Sequence, residues 1–322
     1  MWRISSRGEN IVRNHKLKFR DDGSFNSIQF TDIHFVDGMS QEDLKTCAVI
    51  DNVLKNVDAD LVVLTGDIVY GEKNKELLRK TVKLMDSYNI PWTFVFGNHD
   101  AEWGSSKEEL SQVTDQSKNC IFERGDSDIS GVGNHILNIY RSDKDTLAWS
   151  LFLLDSGSYN PNKNVGGYDF IKRDQINWYV KQSRNIQDQY GKVPALAFFH
   201  IPLPEYLYAW YIDDCYGEKR EEVCCPKQNS GLFSAMLEMG NVKGVFVGHD
   251  HLNDYYTDLF GIKLCYGRAT GYNTYGHEDF KKGARVIKLD QDKVSFDSFI
   301  ILEDGQKIQQ TTKTNEHNFK II

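Results

Sequence analysis

Six short apolar segments limit the folds open to this sequence more than any other feature. They are SIQF, DLVVLT, WTFVF, LAWSLFLL, ALAFF and VKGVFV, and they end at residues 30, 65, 96, 154, 199 and 247. Each is rich in Val, Ile, Leu and Phe and is too short to form a helix by itself. Such segments are typical of strands that are buried on both faces of a sheet.

Helices are predicted between these strands, because amphipathic stretches cover 41–56, 75–88 and 170–190. Strands that alternate with helices predict an α/β fold, in which a sheet with parallel stretches has helices outside it. A different pattern follows near the end of the sequence. There, 284–289 and 294–301 alternate apolar and polar residues, which predicts an antiparallel hairpin.

We expect a single domain over 17–302, with terminal extensions at 1–16 and 303–322. Hydrophobic residues make up 40% of the 322 residues, enough to bury a large core, so the chain is not of the disordered class. The sequence shows no internal repeat and no Pro/Ser-rich linker that would divide it.

Residues able to bind a metal follow five of the six apolar segments. The motifs are TDIH, GD, GNHD, a single His and GHDH, in this order. Because ligand sites in open α/β sheets form outside the carboxyl ends of strands, we expect these side chains to converge. One DxH or GD motif alone is more often a turn or a helix cap, so the interpretation depends on the ordered set of five.

The motifs contain seven candidate ligands that offer oxygen or imidazole nitrogen atoms. These are Asp32, His34, Asp67, Asn98, His200, His249 and His251. Seven ligands are too many for one tetrahedral ion and indicate two ions that share a bridging carboxylate. Two metals about 3.5–4 Å apart can hold the attacking and leaving oxygens of an in-line displacement, which is the chemistry of phosphoester hydrolysis.

This ordered set resembles the calcineurin-like metallophosphoesterases from about Asn26 to Val286. Four further segments resemble the branch that contains plant purple acid phosphatase-related proteins and fungal relatives lacking the N-terminal β-domain. They are FFHIPLPEY (198–206), NSGLF (229–233), VFVGHDHLND (245–254) and LCYGRATGYNTYG (264–276). The resemblance implies a central β-sandwich of mixed sheets flanked by helices, in four layers.

The resemblance also implies a role for each motif residue. The first metal would be held by Asp32, His34, Asp67 and His251, and the second by the bridging Asp67 with Asn98, His200 and His249. A hydroxide that bridges the metals would be the nucleophile. His99 would stay unligated and face the substrate, as an acid for the leaving oxygen or as a stabiliser of phosphoryl charge. For Asp100 two roles stay open, orienting His99 or capping the following helix.

The implied cofactors are two divalent or mixed-valence ions of iron, manganese or zinc. The ligands do not decide among these metals, because every one offers nitrogen or oxygen. Purple acid phosphatases bind ferric iron through the tyrosine of GDxxY, and this sequence has GDIVY ending at Tyr70. Because His34 already fills the corresponding coordination role, we predict that Tyr70 packs near the site. The arginine of GDxVDRG is absent, which argues against a protein Ser/Thr phosphatase of that type.

The leading functional prediction is a dinuclear metal-dependent hydrolase of phosphoesters, with monoesters favoured. One alternative is a phosphodiesterase that acts on cyclic nucleotides or other diesters. Another is a catalytically weak metal-binding regulatory protein. Turnover of a phosphate monoester against its bis-ester would distinguish the three.

Composition limits the partners. The chain has 38 basic and 46 acidic side chains, a net charge of −8, which argues against nucleic acid. From the predicted site, the expected partner is a small-molecule phosphoester. No apolar stretch is long enough to cross a bilayer, and the first residues contain no apolar segment of a signal peptide. Since the six cysteines form no CxxC motif, we expect a cytoplasmic protein with free thiols, while a disulfide within Cys215, Cys224 and Cys225 stays open. The sequence does not specify an oligomeric state.

Overall fold

Two β-sheets face each other at the centre of the molecule, as seen in a computed structural model that describes residues 16–315. Residues 1–15 and 316–322 lie outside the described part of the chain. These two ranges contain most of the predicted extension 1–16 and the end of the predicted extension 303–322.

The strands in this part of the chain are β1 (Leu17–Lys18), β2 (Ser24–Phe30), β3 (Leu61–Thr65), β4 (Trp92–Val95), β5 (His135–Tyr140), β6 (Leu147–Leu153), β7 (Ala195–Phe198), β8 (Cys215–Tyr216), β9 (Val242–Val247), β10 (Tyr256–Leu259), β11 (Ile262–Tyr266), β12 (Gly283–Asp290), β13 (Asp297–Leu302) and β14 (Lys307–Ile308). The helices are α1 (Gln41–Asn56), α2 (Asn74–Ser87), α3 (Lys107–Ser111), α4 (Arg173–Tyr190), α5 (Pro204–Ile212) and α6 (Leu232–Met239), with a 3₁₀ helix at Gln112–Gln116.

Both sheets mix parallel and antiparallel strands. The smaller has the order β14-β13-β12-β2-β3-β4, in which β2, β3 and β4 are parallel. The larger has the order β1-β5-β6-β7-β9-β11-β10-β8, in which β6, β7, β9 and β11 are parallel neighbours. All six predicted apolar segments are strands, three at adjacent positions in each sheet. The predicted α/β class with two mixed sheets flanked by helices is confirmed.

The core consists of three apolar layers. Val63 and Val95 of the smaller sheet pack between the sheets with Leu196 and Phe246 of the larger. The other face of the smaller sheet packs on α1 and α2, and that of the larger sheet on α4, α5 and α6. Full burial of one such side chain contributes about 1.5–3 kcal/mol, and burial on both faces explains why the strands read as continuous apolar runs.

Most predicted boundaries agree with the structure, and the differences have local causes. The α1 helix covers the predicted 41–56, and its N-terminus is capped by Ser40 Oγ, which accepts the N–H of Asp43. The α4 helix begins three residues later than predicted, because the Gln175 side chain caps it by accepting the N–H of Lys172. The predicted hairpin is present as antiparallel β12 and β13, joined by a longer turn than expected.

The parallel strands place the candidate ligands. Since β2, β3 and β4 run in one direction, their carboxyl ends meet at one edge of the smaller sheet, and β7 and β9 do the same in the larger. A bridge between Thr31 and Ala269 joins the two edges just after β2 and β11.

In the part of the chain that the structure describes, no helix has both the length and the apolar character needed to cross a membrane.

Candidate metal centre

The seven candidate ligands lie together beyond the strand ends. Asp32 and His34 follow β2, Asp67 follows β3, Asn98 follows β4, His200 follows β7, and His249 and His251 follow β9. All seven side chains are buried, and the most accessible, His249, is 7% exposed. Buried carboxylates and imidazoles at this density require partners, because an unpaired charge is costly away from water.

The ligand atoms form two clusters that share one carboxylate. One cluster contains Asp32, His34, Asp67 and His251, and the other contains Asp67, His200 and His249, with ligand atoms in each within 4.8 Å of one another. The Nε2 atoms of His34 and His200 lie 3.4 and 3.2 Å from the same oxygen, Asp67 Oδ2. A single carboxylate between two groups of ligands is the arrangement expected of a bridging ligand.

Four of these residues have left-handed backbone conformations. The φ angles are 53° at Asp32, 50° at His34, 49° at Asp67 and 80° at His249. Such conformations cost about 1–3 kcal/mol each when the residue is not glycine and cluster at functional sites. Backbone hydrogen bonds between the loops hold them, for example from His34 N to Asp67 O at 2.9 Å.

Two motif positions require glycine, because side-chain atoms of a neighbouring loop approach the backbone too closely for any Cβ atom. A side chain at Gly97 would place its Cβ 2.2 Å from Asp67 Oδ1, and one at Gly248 would place it 1.9 Å from Thr31 Oγ1. The glycines that begin GNHD and GHDH therefore allow neighbouring loops to pack against the ligands.

Hydrogen bonds orient two of the ligand imidazoles. His200 Nδ1 lies 2.8 Å from the carbonyl oxygen of Thr65, and since a carbonyl only accepts, Nδ1 holds a proton and Nε2 faces the site. Thr274 Oγ1 lies 2.6 Å from His251 Nδ1, while His251 Nε2 is 3.4 Å from Asp32 Oδ1. Contacts of this kind fix the orientation of metal-binding histidines.

The donor atoms fit a cation. Asp67 Oδ2, Asn98 Oδ1 and His249 Nδ1 each lie 3.2 Å from His200 Nε2, so four atoms that can all donate electron pairs converge. Burial lowers the pKa of His200, but the Asp67 carboxylate outweighs this effect and raises the pKa to about 9. His34 Nε2 is buried without a hydrogen-bond partner in the described residues. A divalent cation fits both nitrogens, because each can donate an electron pair to it.

The pKa shifts of three other ligands favour the protonation states that bind metals. Burial lowers the pKa of His34 to about 4, and burial together with His200 lowers that of His249 to about 3, so both imidazoles are neutral near pH 7. Burial alone would raise the pKa of Asp67, but His200 and His34 hold it well below its usual range. Neutral imidazoles and ionised carboxylates are the forms that bind metals.

His99 lies beside the clusters but belongs to neither. Its backbone N–H donates to Asp67 Oδ1 at 2.8 Å, and its side chain is 27% exposed. Glu102 Oε2 lies 2.5 Å from His99 Nδ1, and Tyr159 Oη donates to Glu102 Oε1 at 3.2 Å. Sequence reasoning missed Glu102, although an acid three residues after a histidine, within one turn, was an available signal.

The Asp100 side chain binds backbone N–H groups, which is neither of the two roles considered from the sequence. Its two oxygens accept backbone N–H groups at 2.7–3.0 Å from Gly97, Asp67, Ile68 and Val69. The following helix begins at Lys107 and is capped by Ser106. Asp100 therefore joins the loops after β3 and β4, and the contact that orients His99 comes from Glu102.

Tyr70 packs against the site. Its ring centroid lies 5.2 Å from that of His99 and 4.9 Å from that of Trp103, edge-on in both cases.

All six cysteines lie in the described part of the chain, and none is in a disulfide.

Comparison with known proteins identifies the family. Residues 25–253 match the family model described as calcineurin-like phosphoesterase. "Probable inactive purple acid phosphatase 29" of Arabidopsis thaliana is 32% identical over 314 residues, covering 88% of this chain and 81% of the relative. "Phosphatase DCR2" of Saccharomyces cerevisiae is 32% identical over 285 residues, covering 78% of this chain and 49% of the relative.

Two solved structures share the fold. A dimetal phosphatase from Danio rerio aligns with a TM-score of 0.56 at 14% identity, covering 85% of this chain and 98% of that one. Purple acid phosphatase PPD1 from yellow lupin seeds aligns with a TM-score of 0.52 at 12% identity, covering 89% and 53%. With its family match and its arrangement of buried ligands, the chain belongs to the calcineurin-like phosphoesterases.

Proposed function

We propose that this protein hydrolyses phosphomonoesters with two metal ions. The observation that supports the proposal most is the pair of ligand clusters sharing Asp67, with His99 beside them and outside both. Metal binding alone needs the clusters, whereas hydrolysis also needs a group that acts on the leaving oxygen. His99 is that group in our proposal.

In this proposal the buried ligands hold two ions. Asp32, His34, Asp67 and His251 would hold the first, and Asp67, Asn98, His200 and His249 the second. When bound, two divalent ions neutralise phosphate charge and generate a nucleophile from water at neutral pH. The protein keeps the ligand side chains buried, and His34 and His249 are neutral near pH 7, which is the form that binds a metal.

His99 would donate a proton to the leaving oxygen. Glu102 accepts from Nδ1 and so fixes the ring, which leaves Nε2 to face the substrate. Asp100 would act indirectly, because its carboxylate binds the backbone N–H groups of Asp67 and Gly97 and so positions the loops that contain Asp67 and His99.

Two other functions remain as alternatives. A phosphodiesterase would use the same ligands, and we favour the monoester because a relative is named a phosphatase. A metal-binding protein without turnover is favoured by the word "inactive" in the names of three plant relatives. Against it, all seven ligand residues and His99 are present here and lie together.

A two-substrate assay tests the proposal. The protein, loaded with Mn²⁺, Zn²⁺ or Fe²⁺, is given p-nitrophenyl phosphate and, separately, bis(p-nitrophenyl) phosphate. We expect the monoester to have the higher kcat/KM. A higher value for the bis-ester would establish a diesterase, and metal binding without turnover of either would establish the regulatory alternative. Asp67→Ala removes the carboxylate that both clusters share and should abolish turnover of either ester. Asp145→Ala, which changes a surface carboxylate paired with Lys16 and Lys18, is its matched control.

We also propose that 17–302 forms one domain and that the protein is cytoplasmic. The shared core between the two sheets and the six free thiols support these assignments. A single protease-resistant fragment and co-fractionation with cytosolic markers are the expected results.

A further inference from the structure

Exposed aromatic rings border the metal centre. Eight large aromatic side chains are exposed among the described residues. Four of them contact a site residue directly or through one neighbouring residue: Tyr70, Trp103, Tyr159 and Tyr275. Their exposed fractions range from 37% to 52%. Scattered exposed rings need no explanation, but rings gathered at a catalytic site mark a binding surface.

Three of these rings lie on the side of the centre where His99 stands. Tyr70 is edge-on to His99 and to Trp103, and the Trp103 ring is within 14° of parallel to the imidazole, at a centroid distance of 6.5 Å. The Tyr159 hydroxyl donates to Glu102, which binds His99. We call Tyr70, Trp103 and Tyr159 the aromatic recess.

The position of the recess indicates which part of a substrate it meets. The phosphate of an ester must lie against the metal ligands, and the leaving oxygen must lie at His99 to receive a proton. The organic part of the leaving alcohol would then lie beside His99, where Tyr70 and Trp103 contact the imidazole and Tyr159 contacts its partner Glu102. The Glu102 carboxylate in the same place repels a second phosphate.

We propose that the aromatic recess binds a planar unsaturated ring in the alcohol part of the substrate, so that the substrate class is small phosphomonoesters with one phosphate and one aromatic ring. This inference rests on the proposed function. Flat rings suit the recess because aromatic pairs gain energy beyond the area that they bury.

A matched pair of substrates isolates the ring. Adenosine 5′-monophosphate and ribose 5-phosphate release the same primary alkoxide and differ by the base. We expect kcat/KM to be about 10-fold or more higher for the nucleotide, within the range that stacking of a base on an aromatic side chain provides. The variants Trp103→Leu and Tyr159→Leu should bring this ratio close to one. Tyr208→Leu is the control, because it removes a tyrosine that is 46% exposed on α5.

Three results would overturn the inference. They are a wild-type ratio near one, a ratio that Trp103→Leu leaves unchanged while both substrates slow equally, and a ratio that Tyr208→Leu lowers as much. The second would mean that the rings only support His99.

Binding of substrate analogues separates the recess from the proposed function. Benzylphosphonate and ethylphosphonate contain a C–P bond that is not hydrolysed, and calorimetry with the Mn²⁺-loaded protein measures their Kd values. We expect tighter binding of the benzyl compound, lost in Trp103→Leu. If that preference holds while no ester is turned over, the hydrolase proposal fails and the recess stands; if both esters are hydrolysed at equal kcat/KM and both phosphonates bind equally, the recess alone fails.

Discussion

The Asp100 carboxylate should contribute more to stability than any single apolar contact at the site. It is 1% exposed and accepts four backbone N–H groups, two on each oxygen. In Asp100→Asn one oxygen becomes an NH₂ group, so two buried N–H groups lose their acceptor. Each buried donor without a partner costs about 1–3 kcal/mol, so we expect the free energy of unfolding to fall by about 2–6 kcal/mol.

Urea unfolding of the metal-free protein measures this loss without a contribution from bound ions. Asp145→Asn provides the control, since that carboxylate is on the surface and should leave the urea midpoint unchanged. Because two of the four N–H groups belong to Asp67 and Gly97, we also expect Mn²⁺ affinity to fall about 10–100-fold, the usual effect of losing an outer-shell contact. An Asp100→Asn protein with the wild-type midpoint and wild-type Mn²⁺ affinity would refute the reasoning.

Four further outcomes are expected. Asp67→Ala should abolish both activity and binding of the two ions, because both clusters share this residue; elemental analysis that still finds two ions would contradict the bridging role. His99→Asn should keep its metal content while kcat falls about 10²–10⁴-fold, with the largest loss on alkyl phosphates and a smaller one on p-nitrophenyl phosphate, whose leaving group hardly needs a proton. Glu102→Gln should lower kcat on alkyl phosphates with little change in KM, and Glu102→Asp should restore part of it; equal loss in both variants would show that Glu102 only supports the fold. The iron-loaded protein should lack a strong visible charge-transfer band, and a band that disappears in Tyr70→Phe would show that Tyr70 is a ligand.

The strand ends and their ligands were predictable because they depend on chain order. Strands buried on both faces read as apolar runs, and the residue after each run must lie at the edge where parallel strands end. The positions of Asp32, Asp67 and Asn98 follow from that logic alone. The sandwich of two sheets did not follow from it, since apolar runs do not say which strands are neighbours, and it was predicted through the family resemblance.

The contacts made by side chains in turns were not predictable. Residues 100–102 form a turn after β4, and in such a segment spacing does not say which way a side chain points. Asp100 and Glu102 illustrate this, because the adjacent acid points back to the backbone while the one three residues away reaches His99. For the same reason the grouping of the aromatic recess was not predictable, because its three residues come from separate loops, although Tyr70 by itself was predicted to pack near the site.

Metal ligands alone do not distinguish a hydrolase from a metal-binding protein without turnover, since both need the same buried donors. The left-handed backbone at Asp32, His34 and Asp67 and the converging electron-pair donors around His200 suit a bound cation, so they support metal binding and do not bear on catalysis. His99, Glu102 and the aromatic recess are different, because no ion requires them. Glu102 orients an imidazole beside the clusters, and two exposed rings contact that imidazole, which is the arrangement that the proposed hydrolysis would use. Variants of the residues next to the metal centre are therefore the ones to measure first, because they separate catalysis from metal binding.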